Sequence, residues 1–405
     1  MVRPRVRAVQ RFPCLYPSLV SLEADKERLS KLTVIVPTWN RPKDLSRILS
    51  YWGRWPVSII VLDGSDTPRT IDQLDPGLAN LTLHSEVDFA RRIQWAARNI
   101  GTPYACLQPD DDFILCRSAA RAIQWLDDHE RFSCIASHGQ FFTPTFDFLP
   151  SNQGRWLCDE DPHQRLVDHF RNYTWSYVYG IQRSFALSAS LEANSAPLLT
   201  PEFLEYPLLT IFEYGMEIAG ALLGPLACGS DVMLLKAVGN APPQYQEYRW
   251  DTWLENPITQ TAATSWRVAF SQALASYVAT PADELSLWIV EILLQQVRGA
   301  ESNPKKGPFY YASDLPIPKH FTGPWNVRFR PKSHTSSDHR VGLAKRMLRK
   351  AHRLAFRLVR ATYRTMATMG GRPVGKLPDS DWNWGDPDDM ADFWRSIDGD
   401  DDAKG

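Results

Sequence analysis

The chain has 405 residues, enough for two or three units that each bury a core of their own. Its 44% apolar and 22% charged residues are the composition of a folded globular protein, not of a disordered one, and the net charge is only −1. The longest apolar run, Leu285 to Val297, is interrupted by Glu291 and falls short of the ~18 residues a membrane span requires, so a transmembrane protein is excluded.

The N-terminal stretch, residues 1–30, reads as an arm. It has four Arg in its first eleven residues and no apolar run behind them, so no secretory signal is expected. Leu32 to Pro37 (LTVIVP) is a buried-strand run that closes at Thr38-Trp39-Asn40. A helix is expected next, with Asn40 as its cap and Pro42 in its first turn; Leu45, Ile48, Leu49 and Trp52 then share one face. Val57 to Leu62 is a second β-branched run, stopping at Asp63-Gly64-Ser65-Asp66. A helix over Phe89 to Asn99 leads into a strand from Tyr104 to Leu107, which ends at Pro109-Asp110-Asp111-Asp112. Another helix over Arg117 to His129 and a strand over Phe132 to Ser137 follow. This alternation predicts an α/β fold, a mainly parallel sheet with helices on both faces. From about Ser151 the chain becomes aromatic-rich, Trp253 to Arg298 reads as largely helical, and Asn303 to Lys332 as an irregular wrap.

In open α/β sheets ligands bind outside the carboxyl ends of the strands, and three features converge there: Pro37-Thr38, Asp63 with Asp66, and Asp110 to Asp112. A strand-end carboxylate such as Asp63 can accept hydrogen bonds from a ribose or a base. Closely spaced Asp side chains offer hard oxygen ligands to Mg or Mn, which would bridge a diphosphate. Each motif also has a plain reading as a solvated turn. Against that reading, apolar Phe113-Ile114-Leu115 follow the three Asp directly and hold the turn against the core, and three packed like charges call for a cation.

These residues resemble the GT-A fold, family-2-like glycosyltransferases, in particular a bacterial subgroup with a TPY...DDDF signature. The signature stands here as Thr102-Pro103-Tyr104 and Asp110-Asp111-Asp112-Phe113, preceded by TVIVPTWNRP (33–42) and VLDGSD (61–66). The resemblance spans roughly 31–240 and implies a GT-A-like domain with a nucleotide-sugar half (31–150) and an acceptor half (151–240), followed by a helical extension and wrap (241–335). It implies that Pro37, Thr38, Asp63 and Asp66 border the nucleotide. Asp110 and Asp112 would be the ends of a DxD motif holding a divalent metal (Mn or Mg) and, with Asp111, the sugar diphosphate.

The family's inverting members use a carboxylate of the second half to deprotonate the acceptor hydroxyl, a poor nucleophile without a base. The stretch Phe212-Glu213-Tyr214-Gly215-Met216-Glu217 makes Glu213 the first choice, with Glu205 and Glu217 as rivals. Glu213 and Glu217 lie four apart on an expected helix, which equally suits a solvated face. Trp175, Tyr177 and Tyr179 alternate as in a strand and are candidates for stacking on an acceptor sugar, or for ordinary packing. The implied partners are a nucleotide-sugar donor and a glycan, lipid-linked or other hydroxyl acceptor. A nucleotidyltransferase is the enzymatic alternative, disfavoured by the missing Gly-rich loop and Lys after the first strand. An inactive GT-A module serving as a membrane or protein adaptor is the non-enzymatic one.

The strong fields lie at the end of the chain. Residues 336–366 contain a basic amphipathic helix: 340–364 hold nine Lys or Arg and no acid, with Leu343, Met347, Leu354 and Leu358 on the opposite face. That suits an anionic membrane surface, the inner face of the membrane, or docking on the body with the basic face outward. The tail 367–405 is acidic, with ten Asp from 379 onward, and by composition suits disorder or a partner. The nearly neutral body offers no groove for nucleic acid. Six Cys without a CxxC pair fit a reducing cytoplasm.

Overall fold

A computed structural model describes residues 22–74, 80–142, 148–150, 156–171, 177–199, 208–237 and 257–302. Trp175, Glu205, the wrap from 303, the basic helix within 336–366 and the acidic tail lie outside the described residues. The chain runs through α1 (Leu22–Leu29), β1 (Leu32–Thr38), α2 (Pro42–Trp52), β2 (Ser58–Asp63), β3 (Leu81–Ser85), α3 (Phe89–Asn99) and β4 (Tyr104–Leu107). It continues with β5 (Phe113–Ile114), α4 (Cys116–Asp128), β6 (Cys134–Phe142), β7 (Phe148–Pro150), α5 (Pro162–Arg171) and β8 (Ile181–Arg183). Helices α6 (Ser184–Leu198) and α7 (Leu208–Leu223), strand β9 (Leu226–Ala237), and helices α8 (Pro257–Ala275) and α9 (Ala282–Ser302) complete it.

The strands form one sheet in the order β3-β2-β1-β4-β8-β6-β9-β5, with β7 paired to β6. β3, β2, β1 and β4 are mutually parallel. β8 runs antiparallel between β4 and β6, β9 is parallel to β6, and β5 is antiparallel at the β9 edge. β1 is hydrogen-bonded on both sides and nearly all buried, the environment that a continuous β-branched run such as Thr33-Val34-Ile35-Val36 fits. The expected α/β architecture is therefore observed: its parallel strands lie on the side where the nucleotide was expected, and helices cover the sheet.

In α2, Pro42 stands at the first turn, and Leu45, Ile48, Leu49 and Trp52 are buried, as the periodicity predicts. The cap is different. Arg41 takes the N-cap position and Asn40 adopts the left-handed region (φ 56°), a conformation an Asn tolerates better than most residues. One core cluster fills the space around β1, β2, β4, α2 and α4 with Val34, Ile60, Trp52 and Ile123. A second, with Phe170, Trp266, Phe270 and Ile289, joins α5, α8 and α9. The last turns of the expected arm are in fact helix α1, which buries Leu29 and packs along α4. The stretch 253–298 is helical where it is described, as α8 and α9.

Two registers build the site. β1 and β2 pair Thr38 with Asp63, so both strands deliver a polar side chain at the same carboxyl edge. The antiparallel pairing of Phe113 with Leu235 brings the end of β9 against Asp112. No described helix is long and apolar enough to cross a membrane.

Candidate functional site

The three consecutive carboxylates lie just past β4, all buried. Asp110 accepts a 2.6 Å hydrogen bond from the Thr38 hydroxyl on Oδ2, and Arg41 Nη1 donates to its Oδ1 at 3.1 Å. The same Arg41 nitrogen donates to Asp111 Oδ2 at 2.8 Å. Asp112 Oδ1 accepts the backbone N–H of Ala237 at 2.8 Å, and Lys236 Nζ lies 3.4 Å from its Oδ2. Gln108 holds the turn from below, donating to the Asp112 carbonyl and accepting from Ile114 N and the Trp52 indole.

Burial and then the neighbouring Asp111 charge push Asp110 up to about 7, with Arg41 and the Thr38 hydroxyl working against the shift. Asp112 also stands at about 7, raised by burial first, while Lys236 and the Ala237 amide pull it down. Desolvation works against the Arg41 charge, but Asp111 and Asp110 outweigh it, and its pKa ends above the ordinary arginine value. The cluster thus holds more negative charge than its built-in cations balance.

The adjoining loops are tied together. Asp63 accepts from Ser65 N at 2.9 Å and Arg69 N at 3.1 Å, so its carboxylate organises the turn after β2. Asp66 is exposed and clasps Asn40: Asn40 Nδ2 donates to its Oδ2 at 2.8 Å, and Asp66 N donates back to Asn40 Oδ1 at 3.2 Å. Pro37 is half-buried opposite Leu62, and Trp39, between Thr38 and Asn40, presents its ring to solvent at 59% exposure. Beneath both strand ends, Arg92 of α3 donates from Nη1 to the carbonyls of Thr38 and Leu62.

On the other side, Tyr179 donates to Glu213 Oε1 at 3.4 Å, and its hydroxyl also receives the Lys236 ammonium, which stands 4.2 Å from the centroid of its ring. Burial, then Glu213, Asp112 and Asp111, hold the Tyr179 phenol well above its ordinary value, so it stays a proton donor. A continuous chain of contacts therefore runs from Glu213 through Tyr179 and Lys236 to Asp112.

Two expected roles are corrected here. Glu217 is fully buried: its carboxylate accepts from His169 Nε2 at 2.8 Å and from the amides of Tyr177 and Val178, so it holds a turn in place and cannot reach an acceptor hydroxyl. Tyr177 is also fully buried, with its hydroxyl donating to the Gly224 carbonyl and its ring edge-on to His169, and it has no face left for a sugar. Residues 177–180 form a turn, not the strand that the alternation of aromatics suggested.

Sequence reasoning missed Arg41, Arg92 and Lys236. Arg92 carried a signal, since it falls on the apolar stripe of α3 with Ile93 and Ala96, where an unpaired charge is costly. Lys236 carried none, because its neighbour Asp112 is 124 residues away.

Among the described residues no group of three or more His, Cys, Asp or Glu is arranged to hold a metal. Asp110 and Asp112 nevertheless fit an open site of the Mg kind, in which one or two carboxylates bind the ion and phosphate oxygens complete its shell.

No family model and no curated protein matches the chain. Among solved structures, it is similar to S. aureus TarS 1–349 in complex with UDP-GlcNAc, at 16% identity over 68% of this chain and 75% of that one, with a TM-score of 0.44. It is similar to S. aureus TarS 1–349 at 15% identity over 68% of this chain and 92% of that one, with a TM-score of 0.39.

Proposed function

We propose that the chain is a glycosyltransferase that moves a sugar from a nucleotide-diphosphate donor to a hydroxyl acceptor by direct displacement. The observation that carries this reading is the cluster Asp110 to Asp112 at the carboxyl ends of parallel strands, flanked by Thr38 and Arg41 on one side and linked through Lys236 and Tyr179 to Glu213 on the other. Thr38, Asp63 and the exposed face of Trp39 border the nucleotide, with Pro37 and Asp66 shaping the loops around it. Arg41 keeps Asp110 and Asp111 ionised and facing the diphosphate. A divalent cation, Mn or Mg, held by Asp110 and Asp112, would neutralise the departing diphosphate.

Glu213 is the base. Its half-buried carboxylate takes the proton of the acceptor hydroxyl; the oxygen attacks the anomeric carbon, and the bond to the diphosphate breaks with its electron pair going to the leaving group. The Tyr179 hydroxyl fixes the direction of that carboxylate, so Tyr179 serves as a positioning group and Trp175 remains the candidate for acceptor stacking. By sequence alone, 340–364 is assigned to an anionic membrane surface, which sedimentation with phosphatidylserine vesicles against phosphatidylcholine vesicles tests.

Calorimetric titration with UDP, GDP and CDP, each with and without Mn, tests the donor site. One nucleotide should bind, more tightly with Mn, and an Asp110→Ala, Asp112→Ala variant should lose that binding. If no nucleotide binds under any of these conditions, the glycosyltransferase reading falls. Binding with no transfer to any hydroxyl acceptor would favour the adaptor reading instead.

A further inference from the structure

Lys236 stands where the two halves of the site meet. The register that pairs Phe113 with Leu235 fixes the end of β9 beside the carboxylate turn, and the Ala237 amide locks Asp112 Oδ1 there. The ammonium is thereby held 3.4 Å from Asp112 Oδ2, with the phenol of Tyr179 as its second contact and that ring 4.2 Å away. Its side chain is only 20% exposed, so this charge is poorly hydrated and is part of the site's own balance.

That balance is unfavourable for an anionic ligand. Three carboxylates face two cations, Arg41 and Lys236, and a nucleoside diphosphate adds further negative charge. One divalent ion on Asp110 and Asp112 offsets part of the excess. It would also compete with the ammonium for Asp112 Oδ2, since two cations cannot share one carboxylate oxygen without repulsion. Lys is suited to the consequence: a compact point charge on a flexible stem can leave one anion for another nearby, whereas a planar Arg fork is committed to its geometry.

We infer that Lys236 is a ligand of the donor's diphosphate: its ammonium neutralises Asp112 before the donor arrives and turns onto the β-phosphate when a nucleoside diphosphate and its cation bind. The stem stays packed on the Tyr179 ring throughout. In the transfer step the ammonium then faces the charge that develops on the leaving group, while Tyr179, relieved of one contact, keeps its bond to Glu213. The inference rests on the glycosyltransferase reading and adds to it the residue that recognises the second phosphate.

The test compares a nucleoside diphosphate with the monophosphate of the same base. The full chain is titrated in Mn with UDP, GDP and CDP, and the one that binds is paired with its monophosphate, for wild type, Lys236→Met and Lys236→Arg. Lys236→Met keeps the apolar stem and removes the charge. It should weaken diphosphate binding by about ten- to a hundredfold while leaving monophosphate binding within about twofold, with Lys236→Arg in between. Equal weakening of both ligands, or of neither, overturns the inference while leaving the donor site intact. A wild type that binds no nucleoside diphosphate overturns the donor reading itself. Circular dichroism melts of all three proteins report folding, and should Lys236→Met melt early, Lys236→Arg alone carries the same comparison of the two ligands.

Discussion

Glu217 and His169, 2.8 Å apart and both closed off from solvent, form a buried pair one helical turn from Glu213. The spacing of four that made Glu213 and Glu217 rivals also separates their tasks: one carboxylate points into the body and the other toward Tyr179. Glu217→Ala would strand His169 Nε2 and the amides of Tyr177 and Val178, and is expected to cost about 3–5 kcal/mol in chemical denaturation. Glu213→Gln should change stability by no more than about 0.5 kcal/mol. It should slow transfer by about 10²–10⁴, measured as turnover once an acceptor is in hand. Equal stability of the two variants would remove the distinction.

The carboxylate cluster makes stability depend on pH in an unusual direction. Asp110 and Asp112 stand at about 7 in the fold against an ordinary 3.8, so between those values the native state holds protons that the unfolded chain has released. The contribution of these groups therefore falls as pH rises from about 4 to about 7 and stays low above it. Asp112→Asn, which keeps the shape and removes one charge, should melt higher than wild type at pH 8 and converge on it near pH 5. Mn should raise the wild-type melting temperature at pH 8 and do so less for the variant. A variant that melts lower than wild type at pH 8 would show that the carboxylate charge is not a burden on the fold.

The Thr38 hydroxyl is the lone neutral donor described on Asp110, and it favours the ionised form. Thr38→Val keeps the volume and removes that donor, so the Asp110 carboxyl should titrate higher. Nucleotide binding in Mn should then be lost at a higher pH on acidification than in wild type, with near-equal affinity at pH 8.5. Superimposed pH profiles would mean that Asp110 does not bind the ligand in its ionised form.

How much of this was legible follows the range of each interaction. β1, α2, β2, α3 and β4 are local patterns of apolar period and strand-ending polar residues, so the half carrying Thr38, Asp63 and Asp110 could be read directly. The second half could not. Its strands β8 and β9 insert antiparallel and parallel partners far from their sequence neighbours, and that pairing alone decides that Lys236 meets Asp112. Burial decides the rest: Tyr177 and Tyr179 are two residues apart in one aromatic run, yet one ties the interior to Gly224 and the other turns its hydroxyl to Glu213. Asn40 shows the same limit at short range, since its composition suits a helix cap but the clasp on Asp66 takes its side chain.

Gly64 follows Asp63 because Arg92 fills the space where a side chain would stand. A Cβ built on Gly64 would lie 1.8 Å from Arg92 Nη1, the nitrogen that donates to the Thr38 and Leu62 carbonyls. The guanidinium is buried, so it cannot swing into solvent without giving up both bonds. Gly64→Ala is expected to cost about 1–3 kcal/mol, the range of overpacking in a filled site, and to weaken nucleotide binding by moving Asp63. Arg92→Ala alone should also destabilise, by about 1–3 kcal/mol, through the loss of its hydrogen bonds. In the double variant the added methyl meets the space the arginine left. The combined cost should therefore fall short of the sum by about 0.5–3 kcal/mol, measured by denaturant unfolding of all four proteins. Strict additivity would mean that the glycine is required for a reason other than Arg92.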